Sequence, residues 1–225
     1  MQYHWLNKQN NDKLIMFFAG WSYDYVPFKF LDCGDYDVVM FYDYENINYD
    51  MDFSSYKEVN LIMWSMGVFT AYLLKDKLPQ FKTKLAINGT PFPVDDNYGI
   101  PQKIFDLTLA HAEMGLRGKF YKNVIANEKN FARYMQSPVE RSIENRVIEL
   151  QKLSDLAKNT EYNYEKFYDY ALIGNNDKIV PTSNQINFWE KNAPYKILET
   201  GHFPFYDYNG WEELLAEVKT KMAVK

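Results

Sequence analysis

Cysteine is almost absent: Cys33 is the only one in 225 residues, so no internal disulfide and no cysteine-cluster metal site can form, and Cys33 reads as a structural residue. Long apolar runs are missing too. The longest, Leu14 to Gly20 and Leu61 to Gly67, fall far short of the ~20 residues that cross a bilayer, and no membrane helix is expected. There is no basic excess. Lys and Arg number 25 against 30 Asp and Glu, a net charge of −5, which argues against a general nucleic-acid binder; any acidic partner must meet a local patch. The opening Met1-Gln2-Tyr3-His4-Trp5 has no charged region followed by an apolar stretch, so no secretory signal is read and a cytoplasmic location is expected.

Aromatic residues, by contrast, are abundant, with 19 Tyr, 16 Phe and 5 Trp. Platforms that stack bases or sugars pair such rings with a positive groove, whereas here they are dispersed through an acidic chain, which favours core filling. The length suits one domain with an insertion.

Short β-branched and aromatic runs bounded by Gly, Asp, Asn or Pro read as buried parallel strands at Lys13–Ala19, Asp37–Tyr42, Val59–Trp64 and Lys84–Asn88. A helix at Met66–Lys75 separates the last two. From Pro91 to about Glu165 the pattern turns helical, at Lys103–Leu116, Glu128–Met135 and Val139–Lys158. Strand patterns resume at Phe167–Ile173 and Tyr195–Leu198 around a helix at Thr182–Lys191, and Trp211–Met222 is amphipathic. The expected fold is α/β: an open, mostly parallel sheet of about six strands flanked by helices, with residues 1–90 and 166–225 as the core and 91–165 as a helical cap.

Asn60-Leu61-Ile62-Met63-Trp64-Ser65-Met66-Gly67 runs from an apolar strand into Ser65 and then a helix, which is how a nucleophile elbow reads. Gly67 supplies the small residue two positions after the serine, while Met63 stands where the preceding glycine is usual. Taken alone, Ser65 would read as a helix N-cap. Asp177, in Gly174-Asn175-Asn176-Asp177, follows a late strand and would alone be a turn residue. His202 follows the last strand, and the other two histidines, His4 and His111, read as structural or solvated. The order Ser65, Asp177, His202, each in a loop after a strand, is the order of α/β-hydrolases and not of chymotrypsin-like or subtilisin-like proteases. Gly20 at the end of the first strand read here would aim the Trp21 amide into an oxyanion hole, with the Met66 amide as its partner. Asp43 precedes the serine and is assigned to loop hydrogen bonding.

Phe17-Phe18-Ala19-Gly20-Trp21-Ser22, Met40-Phe41-Tyr42-Asp43-Tyr44, Trp64-Ser65-Met66-Gly67 and Gly201-His202-Phe203-Pro204-Phe205 together resemble the BioG family of biotin synthesis, over most of the chain. The resemblance implies an esterase that removes the methyl group from pimeloyl-[acyl-carrier protein] methyl ester, without metal or organic cofactor, using Ser65, Asp177 and His202 as triad and Trp21 and Met66 as oxyanion donors. It implies an acyl carrier protein as partner, and neither nucleic acid nor membrane. Leu116, Phe120, Tyr121, Phe131 and Tyr134 are candidates to line an acyl channel under the cap. Arg117, Lys119, Lys122, Lys129 and Arg133, opposed only by Glu128 between Gly115 and Met135, are candidates to dock the acidic carrier. A general small-ester or thioester hydrolase, and a catalytically silent binding module of the same fold, are the competing expectations.

Overall fold

A computed structural model describes residues 1–219. Its single sheet contains β1 (Gln2–Asn7), β2 (Lys13–Phe18), β3 (Tyr36–Tyr42), β4 (Glu58–Trp64), β5 (Thr83–Ile87), β6 (Tyr170–Gly174) and β7 (Tyr195–Leu198). The strands lie in the order β1-β3-β2-β4-β5-β6-β7, every neighbouring pair parallel except β1 with β3. Every residue of β3 is buried, and all but the first of β2 and β4, because helices cover both faces of a parallel sheet and its central strands must be apolar throughout. The seventh strand, β1, was not expected from sequence. Its residues Gln-Tyr-His-Trp-Leu-Asn are half-buried or exposed at the sheet edge and carry no continuous apolar run. The strand expected at Phe167–Ile173 begins later, at Tyr170, and extends to Gly174.

Helix α1 (Met66–Leu73) links β4 to β5, and five helices separate β5 from β6: α2 (Gln102–Ala110), α3 (Ala112–Arg117), α4 (Phe120–Ile125), α5 (Glu128–Tyr134) and α6 (Ile143–Asn159). α7 (Thr182–Asn192) joins β6 to β7, and α8 (Trp211–Lys219) ends the described chain. The helix expected over Trp211–Met222 reaches residues 220–222, which lie outside the described residues. Lys103–Leu116, expected as one helix, is two, broken at His111 where φ is −121° and ψ 24°. The six-residue α4 was not expected. α6 starts four residues later than its periodicity suggested, because Ser142 caps it by accepting from the Asn145 amide. The Glu140 and Arg141 amides instead donate to Asp24 Oδ2, at 2.8 and 3.1 Å, tying the approach to α6 onto the core. Among the described residues no helix is long and apolar enough to cross a membrane.

The aromatic residues are largely core. Phe17 meets Phe28 at 5.0 Å and Trp211 at 4.8 Å between ring centroids, Phe28 meets Phe205 at 5.0 Å, and Trp64 meets Phe203 at 5.4 Å. These rings are tilted or edge-on, the arrangement their quadrupoles favour. They weld β2 and β4 to the segment after β7, so Phe203 and Phe205 fix the loop that carries His202.

Four non-glycine residues just past the carboxyl ends of adjacent strands have left-handed backbones: Ser22 (φ 74°) after β2, Asp43 (φ 57°) after β3, Ser65 (φ 56°) after β4 and Asn88 (φ 46°) after β5. Each such turn costs of order 1–3 kcal/mol and persists only where its surroundings hold it. The turn after β4 also requires very close contact with β2: a Cβ on Gly67 would lie 2.1 Å from the Phe18 carbonyl oxygen and 2.6 Å from that of Ala19. Since both obstacles are main chain, Gly67→Ala is expected to cost about 3 kcal/mol or more. Urea unfolding of the purified variant, read as a shift in midpoint at constant slope, measures that loss.

Candidate active site

At Ser65 the buried strand β4 ends in a left-handed turn (φ 56°, ψ −126°) and α1 begins. The side chain makes no capping bond to the helix, and so does not serve as an ordinary N-cap serine. Its Oγ lies 2.8 Å from His202 Nε2, and His202 Nδ1 lies 2.8 Å from Asp177 Oδ2. Asp177 Oδ1 accepts from the Ile179 and Val180 amides at 2.8 and 2.9 Å, and Oδ2 also accepts from Gln185 Nε2 at 3.0 Å. Surrounded by donors, the carboxylate acts as acceptor, which puts the imidazole proton on Nδ1 and leaves the Nε2 lone pair facing the serine hydroxyl. Ser65 is 9% exposed and His202 2%. A buried hydroxyl facing an imidazole whose far nitrogen is held by a carboxylate can have its proton withdrawn as it attacks an acyl carbon.

Two positioning residues, Asn88 and Gln185, carry no signal in the sequence that marks them. Asn88 Nδ2 donates to the Gly201 and His202 carbonyls at 3.0 and 2.9 Å, and its Oδ1 accepts from the Gly174 amide at 2.6 Å. One amide group thus joins the ends of β5 and β6 to the histidine loop, aided by the Trp64 indole, which donates to the His202 carbonyl at 2.7 Å. Gln185, on α7, is wholly buried and clips Asp177 to the Val180 carbonyl. Gly89 also bears on the turn at Ser65. A Cβ there would lie 2.6 Å from the Ser65 carbonyl oxygen, and a glycine one residue beyond a strand and its turn is a readable sign of such crowding.

Gly20 places the end of β2 against the serine, since a Cβ on it would be 3.0 Å from Ser65 Cβ. The Trp21 and Met66 amides that follow have no acceptor among the described residues. Both residues also line a largely apolar cavity of about 540 Å³ between core and cap, and Ile179 on the same wall follows Asp177 closely in the chain. Leu116 and Phe120 line this cavity, as do Ile104, Leu107 and Leu150. Tyr121, Phe131 and Tyr134, expected there, do not. Tyr121 stacks on Tyr134 at 5.0 Å and meets Tyr23 at 5.5 Å, with Phe131 packed on Tyr134, so these rings form the seam between cap and core. Burial pushes the Tyr23 and Tyr121 phenols up, so they stay protonated.

The five basic candidates do not ring one opening. Lys119 lines the cavity, joined by Lys178, which the sequence did not single out. Arg117 sits in an adjoining depression and is paired with Glu113 at 2.9 Å. Lys122 lies over the Phe131 ring, Lys129 is exposed on α5, and Arg133 lies against the packed pair Phe30 and Tyr206, 4.1 and 4.5 Å from their ring centroids. His111 is exposed on the cavity wall, and His4 stacks on Tyr25 at 3.5 Å. Asp43 is engaged in the loop after β3, accepting from Gln2 at 2.9 Å and ion-paired with Arg141 at 3.1 Å. Burial, with Asp32 nearby, pushes the Cys33 thiol up to about 11, far from the reactive range.

A mostly parallel sheet, helices on both faces, a strained serine at a strand end and a late histidine loop define an α/β-hydrolase. Solved structures of that class share the fold at low identity, among them an esterase from Exiguobacterium antarcticum, with a TM-score of 0.63, 18% identity, and coverage of 97% of this chain and 94% of that one. Within the class, the chain belongs to the family described as pimeloyl-ACP methyl esterase BioG, whose model matches residues 1–214. The crystal structure of BioG from Haemophilus influenzae superposes with a TM-score of 0.88 at 29% identity, covering 95% of this chain and 99% of that one. A malonyl-[acyl-carrier protein] O-methyltransferase from Bacteroides fragilis is 34% identical over 183 residues, which are 79% of this chain but only 36% of that protein.

Removing the Asn88 amide leaves the Gly201 carbonyl and the Gly174 amide without this partner and loosens His202. Asn88→Ala is expected to lower stability by about 3 kcal/mol, since each buried group left unsatisfied costs roughly 1–3 kcal/mol. Denaturant unfolding gives that figure.

Proposed function

We propose that this chain hydrolyses the methyl ester of pimeloyl-[acyl-carrier protein], releasing methanol and the carrier-bound free acid, with Ser65 as nucleophile, His202 as general base and Asp177 as the group that orients it. The observation that carries the reading is the Ser65 Oγ to His202 Nε2 contact of 2.8 Å, made by a serine in a strained turn that does no capping work. As Oγ attacks the ester carbonyl, its proton passes to Nε2 and the imidazolium is stabilised by Asp177. The carbonyl oxygen becomes an oxyanion facing the Trp21 and Met66 amides. On collapse the C–O bond to the methoxy group breaks, and methanol leaves with the proton from Nε2. Water then gives a proton to His202 Nε2 as it attacks the acyl carbon, and Ser65 Oγ leaves with that proton, releasing the free acid.

The substrate class rests on the family and on the cavity. About five methylenes at ~0.8 kcal/mol each give up to ~4 kcal/mol on burial in an apolar channel, and a cavity of about 540 Å³ lined by Leu116 and Phe120 offers one. A carrier-bound ester presents its methyl end at Ser65 and leads back toward the carrier through the cavity mouth. The B. fragilis relative, named for methyl transfer on an acyl-carrier substrate, fits the same kind of carrier-bound ester. Lys119 and Lys178 place positive charge beside the cavity in a chain of net charge −5. The competing reading, cleavage of small esters or of the carrier thioester, differs in product: ester hydrolysis leaves the acyl chain on the carrier, lighter by one methylene, whereas thioester hydrolysis strips it.

Intact-mass analysis of the carrier after reaction distinguishes these outcomes. Ser65→Ala is expected to lower kcat by roughly four orders of magnitude or more, and Asp177→Asn by roughly 10⁴ through the wrong imidazole tautomer. If Asp43→Asn proves the more damaging of the two aspartate changes, the orienting acid is misassigned.

Replacing Lys119 and Lys178 together by Ala is expected to reduce kcat/KM for the carrier-bound ester about tenfold at low salt and to flatten its salt dependence. Hydrolysis of a p-nitrophenyl ester should change less than about twofold, because a small neutral ester needs no electrostatic steering. Equal losses on both substrates would remove these lysines from carrier docking.

A further inference from the structure

Glu149 lies in the second turn of α6, in the cap, yet it is wholly buried against the core. Its Oε2 accepts from the Ser22 amide at 3.1 Å and from Arg141 Nη1 at 2.9 Å, while Oε1 accepts from the Tyr44 amide at 3.1 Å. The Tyr44 amide follows the left-handed Asp43 after β3, and the Ser22 amide belongs to the left-handed residue after β2 (φ 74°). Ser22 directly follows Trp21, whose amide is the proposed oxyanion donor. The same helix also grips Trp21 by its side chain: the indole donates to the Arg146 carbonyl at 2.7 Å. Arg146 Nη1 donates to the Tyr121 hydroxyl, which in turn donates to Ser22 Oγ at 3.1 Å. Among the described residues, every polar hold on this two-residue segment therefore comes from the cap.

From these contacts we infer that Glu149 is a positioning residue for the oxyanion hole: helix α6 aims the Trp21 amide by fixing the main chain on its far side. The inference rests on the reading of Ser65 as nucleophile and Trp21 as oxyanion donor. Packing alone gives no reason for a carboxylate here. Burying it opposes stability, and an apolar residue of similar volume in place of a buried ion pair is often neutral or stabilising. Burial holds the Glu149 carboxyl above its usual range, with Arg141 and the two amides opposing that shift only in part. What the carboxylate does, and an apolar side chain cannot, is accept at once from two main-chain amides on different strand ends while Arg141 neutralises it. Without that acceptor the Ser22 amide is buried and unpaired, the left-handed turn loses its anchor, and the Trp21 amide is free to rotate off target.

The test compares wild type, Glu149→Gln and Glu149→Ala in the full chain. Active sites are titrated with a fluorophosphonate, and kcat and KM on a p-nitrophenyl ester are expressed per titrated site. Glu149→Gln is isosteric and keeps one carbonyl acceptor, so it is expected to fold, with kcat per site down roughly 10-fold to 100-fold, KM within about threefold, and a parallel loss of affinity for an alkylboronic acid; losing one oxyanion donor outright costs about 10²–10³. Glu149→Ala should lose more. Wild-type kcat per site in Glu149→Gln, a loss confined to KM, or a failure of that isosteric variant to fold would each overturn the inference, the last by making Glu149 a folding determinant. Ser65→Ala runs alongside. If it retains activity, the nucleophile reading fails and the inference with it, whereas an inactive Ser65→Ala beside an unimpaired Glu149→Gln removes the inference alone.

Discussion

The left-handed turn at Ser65 is the constraint on which the rest of the site depends. An L-residue at φ 56° is costly, and the turn brings β4, α1, β2 and the residue after Asn88 into contact close enough that three positions leave little or no room for a side chain. Gly20, Gly67 and Gly89 supply those positions, each with a would-be Cβ within 3.0 Å of neighbouring atoms. Met63, found where a first glycine is usual, is accommodated in the core and is fully buried. The crowding is therefore relieved from the segments after β2 and β5 and from α1, and not from β4 itself. In exchange the serine hydroxyl is freed from capping and points at His202.

Strain at four neighbouring strand ends is held by polar groups that arrive from elsewhere in the chain. Asn88 ties its own turn to the histidine loop, Gln185 ties Asp177 to α7, and Glu149 ties the turns after β2 and β3 to the cap. The cap also reaches the histidine loop directly, the Phe203 amide donating to the Val124 carbonyl at 3.1 Å. Core and cap thus together hold Ser65, Asp177 and His202 in place, and the seam between them is filled by the packed rings of Tyr23, Tyr121 and Tyr134. Helix α6, which holds the turn after β2 through Glu149, also lines the cavity beside Trp21 and Met66 through Leu150.

Much of this was legible in the residues. Continuous apolar runs at β2, β3 and β4 could only be strands buried on both faces, and their spacing around α1 implied a parallel sheet. Ser65, Asp177 and His202 stood out because each follows a strand in the order this class requires, and scarcity helped, since three histidines leave few alternatives. The edge strand β1 escaped because one solvent-facing side removes the apolar run. α4 escaped because six residues hold too few turns for a period to be recognised.

What the sequence by itself determined is local: which segments prefer strand or helix, where the chain turns sharply, and which chemically able side chains sit at those turns. Tertiary structure alone decided which distant residues complete them. Asn88, Gln185 and Glu149 are ordinary polar letters in the chain, separated from their partners by 113, 8 and 127 residues along it. It also decided that Leu116 and Phe120 face the cavity while Tyr121, Phe131 and Tyr134 close the seam, and that Lys178 rather than Arg133 stands beside that cavity. The physical reason is that hydrogen bonds and ring contacts act over a few ångströms and depend on direction, so a side chain's role is set by what the folded chain brings opposite it.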